Sequence, residues 1–361
     1  MATPDNSSPG VHQRNVRLRR FVLSFVISLH ASRERFKVRG MKIFLGIDAG
    51  GTRTRAALAD DKGRVLGVGA AGPGNPHNVG EATAARHLAE STRAAWAEAK
   101  LDPRPATFAF LGVAGTKTAE DFARLRAAAE GHGLAAAGAL RVENDLHNAL
   151  AGGIGGAPGI ALIAGTGSNC LGRDATGATR MCGGWGWLMG DEGAGFGLAA
   201  EGLRRATRAA DGRQSRTRLL ESALAFFGVS EPDALLTALY AGTWEPDRVA
   251  AFGPVVTRLA EEGDGGARQI LRKGAAVLAE LVAATARRLS FPKGPDVVLL
   301  GGCLKPRTFY AGIVEAAIAK ACPSARLREP LYSPRHGALL NALRHGGIGS
   351  GSLSDPSNRL S

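Results

Sequence analysis

A turn with two glycines follows an apolar segment near residue 48, and its composition suits the binding of phosphate. Residues 43–48 predict a buried strand that ends at Asp48, and Gly50, Gly51 and Thr52 follow in the turn. Glycines let backbone N–H groups approach phosphate oxygens closely, and the Thr52 hydroxyl adds a further donor. A carboxylate at the strand end can hold Mg²⁺ through its waters, because this ion keeps much of its hydration shell. The segment predicts a nucleotide-phosphate site, although an ordinary hairpin turn can have the same composition.

The same pattern occurs a second time along the chain. Residues 159–164 predict another buried strand, Thr166 and Gly167 lie in the turn that follows, and residues 170–174 predict the returning strand. Two matched strand–turn–strand segments are more specific than one. They predict two duplicated lobes that close on one nucleotide from opposite sides.

Asp145 lies between the two turns, at the end of a short predicted strand and before a helix predicted over residues 147–151. A carboxylate there can accept the proton of an attacking hydroxyl group. It can also cap the helix N-terminus, and the sequence leaves both roles open.

Residues 182–195 contain so many glycines that they predict a structured loop, which precedes a helix predicted over residues 194–210. The loop presents Trp185 and Asp191. An aromatic face beside carboxylates is a common way to hold a sugar, although a buried tryptophan and a helix-capping acid would look the same.

A third glycine pair follows the apolar strand predicted over residues 296–300. Gly301 and Gly302 leave room for a flat ligand such as adenine and its ribose, and a helix is predicted from about residue 306 to residue 321.

The net charge of +13 is unevenly placed. Residues 1–40 hold eight Lys or Arg and two acidic residues, and the remaining excess is spread as arginine without interleaved aromatics, which argues against nucleic-acid binding.

Residues 21–29 form an apolar run that resembles part of a signal peptide but is too short to span a membrane. We expect a disordered extension or a misassigned start before Met41, a flexible tail over 347–361 and, since the four cysteines show no zinc or disulfide pattern, a cytoplasmic protein.

Five motifs in order resemble the family of N-acetylglucosamine kinases and BadF/BadG/BcrA/BcrD ATPases, within the actin-like ATPase superfamily of sugar kinases, Hsp70 and actin. The motifs occupy residues 47–54, 143–145, 164–170, 183–193 and 300–303.

The resemblance implies an α/β fold of two RNase H-like lobes, each with a mixed five-stranded sheet flanked by helices, and an active site in the cleft between them. Residues 41–152 and 333–346 would form the small lobe, and residues 153–332 the larger one. It also implies a homodimer.

The resemblance implies that ATP and Mg²⁺ are used to phosphorylate the 6-hydroxyl of N-acetylglucosamine, with Asp145 as the base. Asp48 would hold Mg²⁺ through water. The ATP-binding residues would be Asp48, Gly50, Gly51, Thr52, Thr166, Gly167, Ala250, Gly301 and Gly302. The sugar-binding residues would be Asn75, Asp145, Ser168, Asn169, Gly184, Trp185, Gly186 and Asp191.

Other activities remain open at this point. Glucosamine or N-acetylmuramic acid is an alternative substrate. A more distant alternative is an ATPase that activates a radical dehydratase or reductase, which would need two cluster-binding cysteines at a dimer interface. A sugar-sensing repressor is disfavoured because its cysteine-rich zinc motif is absent from the sequence.

Overall fold

Two mixed five-stranded sheets form the framework of the residues that the computed structural model describes, which are 40–241 and 246–348. The first sheet has the order β3-β2-β1-β4-β5. Its strands are β1 (Ile43–Ala49), β2 (Thr54–Asp60), β3 (Val65–Ala71), β4 (Phe108–Val113) and β5 (Leu140–Asn144). The second sheet has the order β8-β7-β6-β9-β10. Its strands are β6 (Gly159–Ala164), β7 (Ser168–Arg173), β8 (Thr179–Gly183), β9 (Asp296–Leu300) and β10 (Arg326–Arg328).

The two sheets have the same topology. In each, the first strand in sequence is central, the two strands that follow it extend the sheet on one side, and two parallel strands extend it on the other. The predicted α/β fold with two five-stranded sheets is therefore confirmed. Because β1 and β6 occupy equivalent positions, the glycine-containing turns that follow them lie at equivalent corners of the two sheets.

Helices connect and cover these strands in the described part of the chain. They are α1 (Pro76–Val79), α2 (Glu81–Ala99), α3 (Ala119–Gly131), α4 (Leu146–Ile154), α5 (Gly195–Ala210), α6 (Arg218–Phe227), α7 (Ala234–Tyr240), α8 (Pro246–Ala250), α9 (Gly253–Glu261), α10 (Gly265–Arg287), α11 (Phe309–Ala321) and α12 (Pro334–His345).

Some element boundaries differ from the sequence-based prediction. The helix expected from residue 306 begins at Phe309, because the Thr308 side chain caps it by accepting a hydrogen bond from Ala311 N, and a short 3₁₀ turn (Gly302–Leu304) precedes it. Helix α4 is longer than expected, since it starts directly after Asp145 and ends at Ile154, where the left-handed backbone of Gly155 caps it. Cys182 and Gly183, which were predicted to lie in a loop, close β8 instead.

Helices α4 and α12 pack against each other, and each of them also packs on one of the two sheets. The apolar side of α12 packs on the first sheet through Leu339 and Leu343, beside Phe44 and Phe110. The apolar side of α4 packs on strands of the second sheet, and its contributing residues are Leu146, Leu150 and Ile154. The two helices also touch each other, because a Cβ atom on Gly337 would overlap the backbone of α4. Burial on both sides gives the start of α4, and hence Asp145, a fixed position.

Residues 1–39 of the extension predicted before Met41, and residues 349–361 of the tail predicted over 347–361, lie outside the described residues. Within the described ranges, no helix has both the length and the apolar character needed to cross a bilayer.

Candidate functional site

The turn after β1 has the compact form that its glycines predicted. Gly50 N donates a hydrogen bond to Arg53 O at 2.9 Å, and Ala114 N donates to Ala49 O at 2.8 Å. Gly51 and Thr52 are exposed at the tip of the turn. Their N–H groups and the Thr52 hydroxyl are therefore accessible to an anion.

Asp48, at the end of β1, is held by a residue that sequence reasoning missed. Asn148 on α4 donates from Nδ2 to Asp48 Oδ1 at 3.2 Å and to Ile47 O at 3.0 Å. A Cβ atom at Gly112 on β4 would overlap the Asn148 amide, so the strand has room for this side chain only because it carries glycine there. Asn148 Oδ1 is buried and accepts no hydrogen bond from the described residues. Its place one helical turn after Asp145 was the available sequence signal.

Asp145 takes the N-cap position of α4, but its carboxyl group makes no capping hydrogen bond. Burial, and next the negative charge of Asp48, raise the pKa of Asp145 to about 7. The pKa of Asp48 is also raised by burial, against which the Asn148 hydrogen bond and the charges of Arg55 and Arg335 act. A carboxyl group with a pKa near 7 is suited to accept a proton at neutral pH.

The turn after β6 is fixed by the N-terminus of α5. Gly195 N donates to Gly165 O at 2.8 Å, and Phe196 N donates to Thr166 O at 3.0 Å. The thiol of Cys303 donates to the same Gly165 carbonyl at 3.3 Å. Thr166 itself is exposed, so its hydroxyl can reach a ligand from the side of the second sheet.

A cavity of about 570 Å³ opens beside this turn. Three predicted ATP-binding residues line it together: Thr166, Ala250 and Gly302. Charged residues that sequence reasoning missed also line it, and these are Asp247, Arg258, Glu261 and Lys305. A cavity of this size lies within the usual range for small-molecule sites.

The two glycines after β9 have different environments. Gly301 has φ +96°, and a Cβ atom there would overlap Ala164 O, whereas a Cβ atom on Gly302 would meet nothing within 4 Å. We expect Gly301→Ala to destabilise the fold by about 2 kcal/mol or more, because it combines backbone strain with overlap. We expect Gly302→Leu to fold normally but to raise the KM for ATP at least about tenfold, because its side chain would occupy space beside the cavity.

Thermal unfolding and ATP-dependent initial rates of these two variants test the assignment. Gly301 acts on stability and Gly302 does not only if the unfolding midpoint falls for Gly301→Ala and stays unchanged for Gly302→Leu. An unchanged KM for ATP in Gly302→Leu would place the nucleotide elsewhere.

Asp191 is held against the turn after β6. Its Oδ1 accepts a hydrogen bond from Ser168 N at 2.9 Å, and Gly167 lies against the same carboxyl group. Burial raises the pKa of Asp191, opposed by the Ser168 hydrogen bond and then by the charge of Lys117. The Ser168 hydroxyl is buried and donates to Glu192 O at 3.2 Å.

The remaining predicted sugar-binding residues of the second half are Asn169, Gly184, Trp185 and Gly186. Gly184 packs against the side chain of Asn169, whose Oδ1 accepts a hydrogen bond from Cys170 N at 2.9 Å. Trp185 is 66% exposed, and Gly186 is exposed beside it.

Asn75 belongs to a loop that packs beside the first turn. Its Oδ1 caps α1 by accepting a hydrogen bond from His77 N at 2.9 Å. His77 Nε2 lies 2.8 Å from Gly115 O, and Asn78 Nδ2 donates to Gly51 O at 3.5 Å. These bonds link the loop that carries Asn75 to the turn predicted to hold phosphate.

The repeated sheet topology, with a Gly-Thr turn after the first strand of each sheet, defines the actin-like ATPase class of fold. The chain belongs to the BadF/BadG/BcrA/BcrD ATPase family, whose model matches residues 45–342.

Individual relatives are also similar to this chain. An N-acetylmuramic acid/N-acetylglucosamine kinase from Clostridium acetobutylicum is 29% identical over 73% of this chain and 85% of its own length. An N-acetyl-D-glucosamine kinase from Dictyostelium discoideum is 27% identical over 84% of this chain and 98% of its own. A solved structure from Chromobacterium violaceum, provisionally identified as an N-acetylglucosamine kinase, matches with a TM-score of 0.62 at 26% identity, covering 83% of this chain and 98% of that one.

Proposed function

We propose that this protein is an ATP-dependent kinase that transfers a phosphoryl group to the 6-hydroxyl of N-acetylglucosamine. The names of its relatives support this proposal. The observation that carries it is the environment of the Asp145 carboxyl group. This group makes no capping hydrogen bond, and burial together with the negative charge of Asp48 raises its pKa to about 7.

In the proposed reaction, the residues bind, position and accept a proton. The backbone N–H groups of Gly51 and Thr52 and the hydroxyls of Thr52 and Thr166 hold the phosphates, while Gly50, whose N–H donates to Arg53 O, gives the turn its shape. Asp145 accepts the proton of the sugar 6-hydroxyl as that oxygen bonds to the γ-phosphorus and the bond from γ-phosphorus to the bridging oxygen breaks, which releases ADP. Phosphoryl transfer depends mostly on positioning and charge neutralisation, which these groups can supply.

The carboxylates of this site fit a magnesium ion. The negative charge of Asp48 adds to the cost of ionising Asp145, burial raises the pKa of both groups, and both offer hard oxygen ligands. Asp48 would hold the ion, with Asn148 fixing one of its carboxylate oxygens. When bound, Mg²⁺ would neutralise charge on the phosphates.

The activator alternative requires cysteines that can reach a shared cluster. Cys170 is fully buried, and burial raises its thiol pKa to about 12. Such a thiol is poorly placed to bind a cluster at a subunit interface. This observation argues against Cys170 as a cluster ligand.

A coupled ADP-release assay on the full chain tests the proposal. We expect turnover that depends on both Mg·ATP and N-acetylglucosamine, with glucosamine, N-acetylmannosamine and glucose as comparison sugars. ADP release that does not depend on any sugar would overturn it.

A further inference from the structure

A second cavity, of about 370 Å³, opens at the end of the first sheet that is opposite to the proposed active site. Its lining includes Phe108, the first residue of β4, and Leu140, the first residue of β5. Strands β1, β4 and β5 are parallel, and Asp48 and Asp145 lie at their carboxyl ends. The length of β5, about 13 Å, separates the two ends. The cavity is therefore a different place from the sites proposed for phosphate and sugar.

Arginine side chains from several elements gather at this cavity. Arg126 of α3 and Arg141 of β5 line it, and Arg344 of α12 directly precedes the lining residue His345. The positive charges of Arg141 and Arg344 both act on His345. Arg173 of β7 lies behind them, 4% exposed, and burial followed by the charge of Arg344 lowers its pKa to about 10. Guanidinium groups of like charge are thus held close to one another.

Little negative charge balances these guanidinium groups. Glu143 is the one acidic residue among the described residues that line the cavity, and its Oε1 lies 2.6 Å from Arg141 Nη2. Within residues 40–241 and 246–348, no carboxylate forms an ion pair with Arg126, Arg173 or Arg344. The cluster therefore carries an excess of positive charge.

His345 fixes one of the guanidinium groups without compensating its charge. Arg344 Nη2 donates to His345 Nε2 at 3.4 Å, and the imidazole ring stacks on Phe110 with 5.6 Å between ring centres. Burial, followed by the charges of Arg141 and Arg344, lowers the pKa of His345 to about 4. The imidazole is therefore a neutral acceptor at pH 7.

These properties suit a phosphate group. Like charges gathered in a half-buried place cost free energy, and an anion that binds between them recovers part of it. A planar guanidinium group can donate two parallel hydrogen bonds to phosphate oxygens, and a dianion compensates two cations at once. The volume is enough for a phosphate group that carries a small organic part.

We propose that this cavity is a second anion site, which binds a phosphate dianion between Arg126 and Arg141 with the charge of Arg344 behind them. Inorganic phosphate and a phosphate monoester of a sugar present the same dianionic group, and their relative affinities distinguish the two sources. The site does not depend on the proposed kinase function.

Calorimetric titration of the full chain with inorganic phosphate and with N-acetylglucosamine 6-phosphate tests this inference. A saturating non-hydrolysable ATP analogue with Mg²⁺ fills the proposed nucleotide site, and sodium chloride at matched ionic strength is the comparison salt. Arg126→Gln should weaken phosphate binding at least about tenfold, as for the loss of one charge-assisted hydrogen bond. Arg126 is exposed, so this variant should fold normally.

Arg124→Gln is the matched control. It removes the same charge from the same helix, but Arg124 is not among the described residues that line the cavity, and its Nε pairs with Glu81 at 2.7 Å. Its affinity for phosphate should equal that of the native protein. Arg141→Gln should weaken binding as Arg126→Gln does, although it also leaves Glu143 without its partner.

Two results would overturn the inference. One is a native protein that binds phosphate no better than chloride at the same ionic strength. The other is equal phosphate affinity in the native protein, Arg126→Gln and Arg124→Gln. If binding does depend on Arg126, similar affinities for the two ligands identify the phosphate group alone as the ligand, and a sugar phosphate that binds at least about tenfold tighter identifies the monoester. Neither readout requires sugar phosphorylation, so a failure of the kinase function would be seen separately.

Discussion

Asp145→Asn is expected to lower kcat with N-acetylglucosamine at least about a hundredfold, which is the usual size of a general-base contribution. The amide has nearly the same shape as the carboxyl group but cannot accept the proton. ATP binding should remain, because the cavity lined by Thr166, Ala250 and Gly302 is untouched. ADP-release assays measure kcat, and calorimetric titration with ATP measures ATP binding. Near-normal turnover would show that another group is the base.

The same substitution should raise stability above neutral pH. The folded-state pKa of Asp145, about 7, lies above the ordinary value for an aspartate. Between about pH 4 and pH 7 the folded protein binds the proton more strongly than the unfolded chain does, so the native protein loses stability as pH rises through this window. The amide of the variant carries no such charge at any of these pH values. We expect the variant to unfold a few degrees higher at pH 8 and to differ less at pH 4.5, and equal midpoints at both values would contradict the burial of this charge.

The pH dependence of the native enzyme follows from the same shift. Its kcat/KM should fall on the acid side with an apparent pKa of about 7, because the base must be ionised. A profile that stays flat down to about pH 5.5 would conflict with this role.

Asn148→Ala is expected to impair both stability and magnesium use. It would leave Asp48 Oδ1 and Ile47 O without their donor and open a cavity between α4 and β4. We expect unfolding free energy to fall by roughly 2–4 kcal/mol and half-maximal activity to need at least about threefold more Mg²⁺.

Asn341→Ala is the matched control. Asn341 is also buried and donates to the backbone of α4, at His147 O and 3.0 Å, but no hydrogen bond among the described residues links it to Asp48. It should lower stability without changing the magnesium requirement. Equal magnesium curves for the two variants would reduce Asn148 to a purely structural role.

The sequence predicted the parts of this molecule that depend on local pattern. The two apolar strands with glycine turns, β9 and its glycine pair, and the position of Asp145 before a helix all have short-range signals. The duplication of the first two segments predicted two duplicated lobes, and the family resemblance implied the five-stranded sheet in each.

The missed features depend on residues that are distant in the chain. Lys117 meets Trp185 only because two loops from different sheets approach each other, and no spacing rule encodes that contact. The pKa of Asp145 likewise arises from burial and from Asp48, which lies on another strand. Asn148 had a sequence signal that could have predicted it, since a polar residue one turn after Asp145 lies on the same side of α4.

The packing of α12 on the first sheet has a consequence for biosynthesis. Leu339 and Leu343 complete the core around Phe44 and Phe110. The ribosome therefore synthesises these strands long before the helix that packs on them. About 300 residues separate Phe44 from Leu339, which at translation rates of ~5–20 residues per second is roughly 15–60 s. Throughout that time the apolar side of the early strands lacks its cover. Nascent chains of this protein are therefore natural clients for chaperones that shield apolar surface until the ribosome releases the C-terminus.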